Sequence, residues 1–434
     1  MIVILWLLPA RAVPKDSVIV SLVTCWPGAD VYELCGHEAI RIRGIHNGKP
    51  IDTVWNYGTF DFEQPNFIYR FVKGETDYMV SAYPFRWFVP EYAEAGRRVV
   101  EQDLNLTQEE AQRLLTLLRY ETLPQNRVYR YNYVKDNCAT RIIERVDDAL
   151  GSPVVYPDSV HYGTFRKEMR AYHRDYPWYQ FGIDLALGSG IDYQLKGREE
   201  MFVPLEMMRK AAHAHLADGR PLVRETRVLN EGVADATLGP TPWFLTPLFV
   251  FTLLFLILAG VCWLQWRNRT IYRWIYSVWF GALGLMGCLL TFLVFISSHE
   301  ATSPNILLLW LNPLQFVIAI GVWFRRKGYA PTVAMTYVNI ILVTILMLAW
   351  PFQSQSANPA FFPMMGATLL LEVTYAIIIS KLSLNNRGGS QLASPSNART
   401  NEEVGNLGAG GGRGSRSRGS GGSRTAKARG GNRR

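Results

Sequence analysis

Histidine and cysteine are scarce in this chain of 434 residues, seven and five respectively, and they do not gather as zinc ligands do. His46 lies in a turn signal. His161, His173, His213 and His215 lie in polar, loop-like or helical stretches with no Cys or carboxylate partner at ligand spacing. No metal and no soluble cofactor is therefore indicated. Basic residues are also in little excess over most of the chain. The net charge of +9 sits almost wholly past Asn386, where ten Lys plus Arg face two Glu, so no nucleic-acid partner is expected. An N-terminal span is missing too. The apolar run 2–10 is too short to cross a bilayer and lacks the basic stretch that opens a full signal peptide. With Ala10-Arg11-Ala12 behind it, 1–15 reads as a signal-peptide-like leader for export.

What is present falls into three regimes. Residues 16–240 have the mixed charge and scattered aromatics of a globular domain, 241–382 are apolar almost throughout, and 383–434 are rich in Gly, Ser and Arg. The apolar block divides into five candidate spans, 243–266, 274–296, 306–324, 331–352 and 361–382. Each is near the ~20 residues that cross about 30 Å of hydrocarbon. Arg267, Arg269 and Arg273 follow the first span, Arg325, Arg326 and Lys327 the third, and Lys381 and Arg387 the fifth; linkers 297–305 and 353–360 hold no Lys or Arg. By the positive-inside rule the basic linkers face the cytoplasm and the N-terminal domain lies outside. The tail cannot bury a core and is expected to be a disordered cytoplasmic segment.

The exported domain reads as α+β. Strand patterns cover 17–24 and 36–43, Asn47-Gly48 is a hairpin signal, and 51–60 is the returning strand. Thr107 and Glu110 form a capping box for a helix to about Tyr120. An extended run over 127–134 then leads into Asp136-Asn137-Cys138, where an amphipathic helix begins. A thiol in a first helical turn feels the positive end of the dipole, which favours the thiolate nucleophile. Nearby backbone N–H groups suit a developing oxyanion. Asp136 or Asn137 is the expected cap, and Arg141 would support the thiolate or meet a lipid phosphate. His37, opening a strand after Gly36, is the candidate base. Hairpin pairing puts Asn56 opposite it as the group that orients the imidazole, with Tyr57 or Asp52 in that place under a shifted register. Standing alone, Cys138 also reads as a small buried helix-start residue, and His37 as a structural histidine at a strand end.

Cys25 and Cys35 are candidates for a disulfide, which would leave Cys138 as the odd exported thiol. Cys262 and Cys288 read as packing residues within spans. The linker carrying His299 and Glu300, with Asn312 in the third span, reads either as a hydrogen-bonded loop or as a dock for a lipid headgroup or the outer domain. Aromatic and Met-rich stretches at 83–88, 176–181 and 201–208 are candidates for dipping into the interface.

Four runs carry a family likeness: Thr24-Cys25-Trp26-Pro27-Gly28, Gly36-His37-Glu38-Ala39-Ile40-Arg41, Asn56-Tyr57-Gly58-Thr59-Phe60-Asp61-Phe62 and Asp136-Asn137-Cys138-Ala139-Thr140-Arg141. With Ser298-His299 and Asn312-Pro313-Leu314, they make 17–382 resemble the Lnb family, the Bacteroides-type lipoprotein N-acyltransferases. The resemblance implies a permuted papain-like (NlpC-type, lecithin:retinol acyltransferase-like) extracytoplasmic domain followed by an all-α five-helix transmembrane domain. It implies acyl transfer from a membrane phospholipid, through a thioester on Cys138 with His37 as base, to the N-terminal amine of a diacylglyceryl-cysteine lipoprotein. It implies the bacterial inner membrane, with the catalytic domain in the periplasm. The alternatives are a membrane-anchored Cys-His hydrolase (a cell-wall amidase or peptidase, or a phospholipase) and a non-enzymatic exported binding domain.

Overall fold

The computed structural model describes residues 16–157, 163–233, 237, 239–324 and 329–392. The expected leader, His161, the basic cluster Arg325–Lys327 and the tail past Leu392 lie outside the described residues. Met1–Lys381 forms one compact unit and Leu382–Arg434 a second.

The outer domain is built on an antiparallel sheet of strands β1 (Ser17–Cys25), β2 (His37–His46), β3 (Lys49–Thr59), β4 (Tyr78–Pro84), β5 (Val99–Leu104), β6 (Val128–Tyr129) and β7 (Val223–Asn230), in the order β6-β4-β3-β2-β1-β5-β7. The β2–β3 hairpin turns at Asn47 (φ 51°) and Gly48 (φ 69°), both left-handed as a two-residue hairpin turn of this type requires. Its register pairs His46 with Lys49 and Ala39 with Asn56.

Period-2 alternation gives the sheet two faces. Helices α1 (Phe67–Lys73) and α2 (Phe88–Glu94) follow β3 and β4, and α3 (Gln108–Glu121) and α4 (Cys138–Leu150) follow β5 and β6. One face, through Val20, Leu22, Ile40, Ile42, Trp55 and Tyr57, packs on α3 and α4. The other, through Val23, Cys25, Ala39 and Val54, packs on Phe88 and Tyr92 of α2. The predicted capping box starts α3: Glu110 N–H donates to Thr107 Oγ1 at 3.2 Å, and Thr107 N–H to Glu110 Oε2 at 2.7 Å.

Helices α5 (Phe165–Tyr172), α6 (Pro177–Ala186) and α7 (Pro204–Ala211) complete the outer domain. Fully buried Arg166 holds α5 to α6 through Asp184 at 3.1 Å. The stretch 201–208 is mostly core, with Met201 and Met207 buried. Around 176–181, Trp178 Nε1 donates to Leu245 O at 2.7 Å and Phe181 packs on Phe251 and Phe361 of the membrane domain.

Four of the five expected spans are continuous helices, and the third is broken. Among the described residues, four continuous helices are long and apolar enough to span: α8 (Pro247–Asn268), α9 (Arg273–Phe295), α11 (Tyr329–Ala349, reaching Phe352 with its terminal turn) and α12 (Phe361–Leu392, apolar to Lys381). The expected third span, 306–324, is instead a short 3-10 turn (Ile306–Leu309), an irregular stretch and the seven-residue α10 (Gln315–Gly321). Pro313 explains the break: it offers no N–H and forces its predecessor out of helical geometry. Asn312 satisfies the freed backbone by donating to Leu308 O and accepting from Leu314 N–H, each at 3.1 Å.

Irregular backbone at this depth is tolerated only under protein cover, and Gly287 of α9 permits that cover. A Cβ there would lie 2.4–2.5 Å from backbone atoms of Asn312, whereas one at Gly281 would meet nothing within 4 Å. Gly287→Ala is therefore expected to lower stability by about 1–3 kcal/mol, while Gly281→Ala does not lower it. Thermal unfolding in detergent checks the pair, and equal effects at both positions would contradict this packing.

The linkers that lack basic residues contact the outer domain. Ser298 N–H donates to Lys73 O at 2.8 Å, His299 Nε2 to Phe71 O at 2.8 Å, and Lys135 pairs with Glu300 at 3.0 Å. Arg170 reaches Ser356 at 2.8 Å, and Asn358 donates to Asp184 at 2.8 Å.

Candidate active site

Two local devices place the thiol. Asn137 is the cap of α4: its Oδ1 accepts from Ala139 N–H and Thr140 N–H, both at 3.0 Å, and Thr140 Oγ1 accepts from Asn137 N–H at 2.8 Å. Asn137 Nδ2 then donates to Tyr133 O at 3.0 Å and Phe202 O at 2.8 Å, fixing the helix start in the domain. Cys138 thus becomes the first helical residue, buried at 6 % exposure, with its sulfur against the backbone N–H of Glu38.

Gly36 places the base. Its φ is +80°, and a Cβ there would stand 2.6 Å from Cys25 O, so only glycine allows the chain to turn into β2 at this point. His37 follows as the first residue of β2. Its ring stacks on Tyr92 (centroids 6.3 Å, 10°), and Nε2 lies 2.5 Å from Asn56 Oδ1. A carbonyl oxygen only accepts, so Nε2 carries the proton and Nδ1 keeps a lone pair. Asn56 Nδ2 donates onward to Tyr83 Oη at 3.3 Å, which fixes the amide orientation.

His37 and Asn56 occupy the α2 face of the sheet, whereas Cys138 comes from the α4 face, with its sulfur against the N–H of Glu38, the residue after His37 in β2. No hydrogen bond joins Cys138 to His37 in this structure. Such contacts are often long in free enzymes and tighten when substrate binds.

Burial dominates the electrostatics. It pushes the Cys138 thiol up to about 12, against the lowering effect of the N–H groups of Glu38, Ala139 and Cys138 itself. It pushes the His37 imidazole down to about 4, against the Asn56 hydrogen bond. Both groups are therefore neutral at rest, the thiol protonated and the imidazole uncharged. The thiolate expected from the helix dipole is outweighed, because two of the first-turn N–H groups already serve the Asn137 cap and the sulfur is dry. A base of this kind stays competent until pH falls through about 4. The acid limb of kcat/KM is accordingly expected near pH 4 rather than near the 6.5 of ordinary histidine. A pH–rate profile checks this, and a midpoint between 6 and 7 would contradict it.

The other sequence candidates have separate positions. Arg141 is clamped to Asp136 at 2.6 and 2.8 Å and lies over the Tyr129 ring at 3.6 Å. Tyr57 is buried on the α4 face, donating to Glu121. Asp52 pairs with Arg41 at 2.7 Å. His299 and Glu300 join the two domains as described above. Cys25 and Cys35 are free thiols, the latter 3.3 Å from Tyr133 Oη. Cys262 is buried among membrane helices and Cys288 is exposed.

Three further groups had no individual role in the sequence reading. Glu38 is fully buried beside the Cys138 sulfur; Thr24 Oγ1 donates to one carboxyl oxygen at 2.8 Å, the other has no partner, and burial holds this carboxyl well above the usual range. The signal was an acidic residue at an inward position of an alternating strand. Tyr83 lies too far along the chain for any local signal. In the membrane, Glu372 accepts from Asn339 Nδ2 at 2.5 Å, and Asn339 bonds Gln315 at 3.0 and 3.2 Å. A lone carboxyl in an apolar run was that cluster's signal.

A family model described as the Lnb N-terminal periplasmic domain matches residues 8–166, and one described as the Lnb transmembrane domain matches residues 240–383. No curated protein and no solved structure matches the chain.

Proposed function

Since the chain belongs to the Lnb family, a membrane protein with an N-terminal periplasmic part, we propose that it is a lipoprotein N-acyltransferase working through an acyl-enzyme on Cys138. The observation that supports this reading is a buried helix-start thiol lying against the Glu38 N–H, one residue along β2 from an Asn56-bound imidazole, in a domain hydrogen-bonded to membrane helices. The His-before-Cys order and the Nε2–Asn56 bond support a permuted papain-like arrangement. The charge pattern of the linkers supports an inner-membrane protein with a cytoplasmic tail.

In the first half-reaction His37 Nδ1 accepts the thiol proton as Cys138 Sγ bonds to the ester carbon of a phospholipid. The Cys138 N–H, not used by the Asn137 cap, is the donor offered to the oxyanion. The ester C–O bond breaks, His37 returns its proton to the departing glycerol oxygen, and lysophospholipid leaves a thioester. In the second, the neutral α-amine of a diacylated lipoprotein attacks the thioester carbon and yields a proton to His37. The C–S bond breaks, the amide forms, and sulfur recovers the proton. Both lipids lie in the membrane that anchors the site, which raises their effective concentration.

Full-length protein given labelled phospholipid and a diacylated lipopeptide tests the reading by mass spectrometry. Triacylated peptide and lysophospholipid are expected in equal amounts. Labelled free fatty acid without triacylated peptide would mean hydrolysis and would overturn the reading.

A further inference from the structure

The outer domain and the outer part of α9 enclose an open groove of about 1050 Å³. Phe62, Ile68 and Val72 form one wall, and Cys288, Leu289 and Phe292 the other. The first wall is chiefly α1, which buries none of its residues and leaves Ile68 77 % exposed. In water, such a helix would leave apolar area uncovered at a cost of ~25 cal/mol per Å². The second wall belongs to a spanning helix that ends at Phe295, so the groove opens toward hydrocarbon. The walls are held together: Tyr69 packs on Phe292 at 6.3 Å, and the backbone ends of α1 receive the hydrogen bonds of Ser298 and His299.

Packed aromatic rings continue inward from the groove. Phe62 packs on Phe60 at 4.7 Å, Phe60 on Tyr78 at 5.3 Å and Tyr78 on Tyr131 at 4.6 Å. Tyr131 immediately precedes the Asn132–Asp136 bridge from which the chain runs into Cys138. Opposite Tyr131 stands Gly58, where a Cβ would come within 3.1 Å of its ring. A row of packed aromatic rings therefore lies between the groove and the segment that leads into Cys138.

We propose that this groove holds the acyl chain taken from a membrane phospholipid, and that the aromatic row guides it to Cys138, to which it is esterified. This rests on the acyltransferase reading. A chain bonded to a buried sulfur needs apolar surroundings, which the aromatic row and the groove beside a spanning helix supply. A soluble partner is disfavoured by the same geometry, since one wall is a membrane helix.

The test uses the full chain carrying Cys138→Ala, in nanodiscs containing a phosphatidylethanolamine with a diazirine in its acyl chain. Photo-adducts are expected at 62–72 and 288–292 at several times the density found on the lipid-facing sides of α8 and α11. Equal density on all spans, the pattern of annular lipid alone, would overturn the proposal. In active protein, Leu289→Trp and Val72→Trp are expected to lower the preference for long-chain over short-chain donors about tenfold; an unchanged preference in both would also overturn it. If the wild type makes no triacylated lipopeptide, the enzymatic reading fails, while the adduct map still decides what the groove binds.

Discussion

Cys138→Ala should abolish acyl transfer, with a loss of about 10⁴-fold or more, because the proposed mechanism carries the acyl chain between two lipids on its sulfur. Cys138 is buried at 6 % exposure and packs in the α4 face of the core, so loss of the sulfur removes little volume. The cap that starts α4 is made by Asn137 and Thr140 and does not involve the thiol. The variant should therefore fold, insert and bind lipid while failing to release lysophospholipid. Wild-type rates from Cys138→Ala would show the thiol to be structural and would remove both enzymatic readings. Assay of lysophospholipid release alongside thermal unfolding separates chemistry from misfolding.

His37→Ala is expected to cost about 10²–10⁴-fold in kcat, the usual range for a lost general base. The cost is set by the thiol: burial holds Cys138 up at about 12, so sulfur needs a base at the moment of attack. In a Cys138→Ala background, His37→Ala should cost nothing further, since groups acting as one unit are not additive. Asn56→Ala should give a smaller loss, about 10²-fold, by releasing a ring whose direction its Oδ1 sets. A His37→Ala variant with full kcat would point instead to Glu38, the buried carboxyl on the thiol's own side. Single-turnover kinetics on the variants reads these differences directly.

Local chemistry made much of this arrangement legible in the sequence. Asn47-Gly48 set the hairpin and its register, which selects Asn56 over Tyr57 and Asp52 as the partner of His37. The Thr107–Glu110 box marked α3, and Asp136-Asn137-Cys138 marked the start of α4. What could not be read depends on tertiary packing. A helix start argues for a thiolate, but only the folded chain shows how far burial opposes it. Hydropathy sees 306–324 as one span, because a broken segment wrapped by α9 and α11 is as apolar as a helix. Pro313 and Gly287 carried the signal of the break. The His299–Glu300 loop allowed two destinations, and its hydrogen bonds to α1 and Lys135 select the outer domain. Glu372 meets Asn339 and Gln315 only once three membrane segments pack together.

The most direct measurement is the mass of the intact full-length protein after brief exposure to labelled phospholipid without acceptor. The account predicts one added acyl mass, mapped to Cys138, released by hydroxylamine and transferred to diacylated lipopeptide when that is supplied. An unmodified protein that nonetheless forms triacylated peptide, or an adduct on any residue other than Cys138, would contradict it.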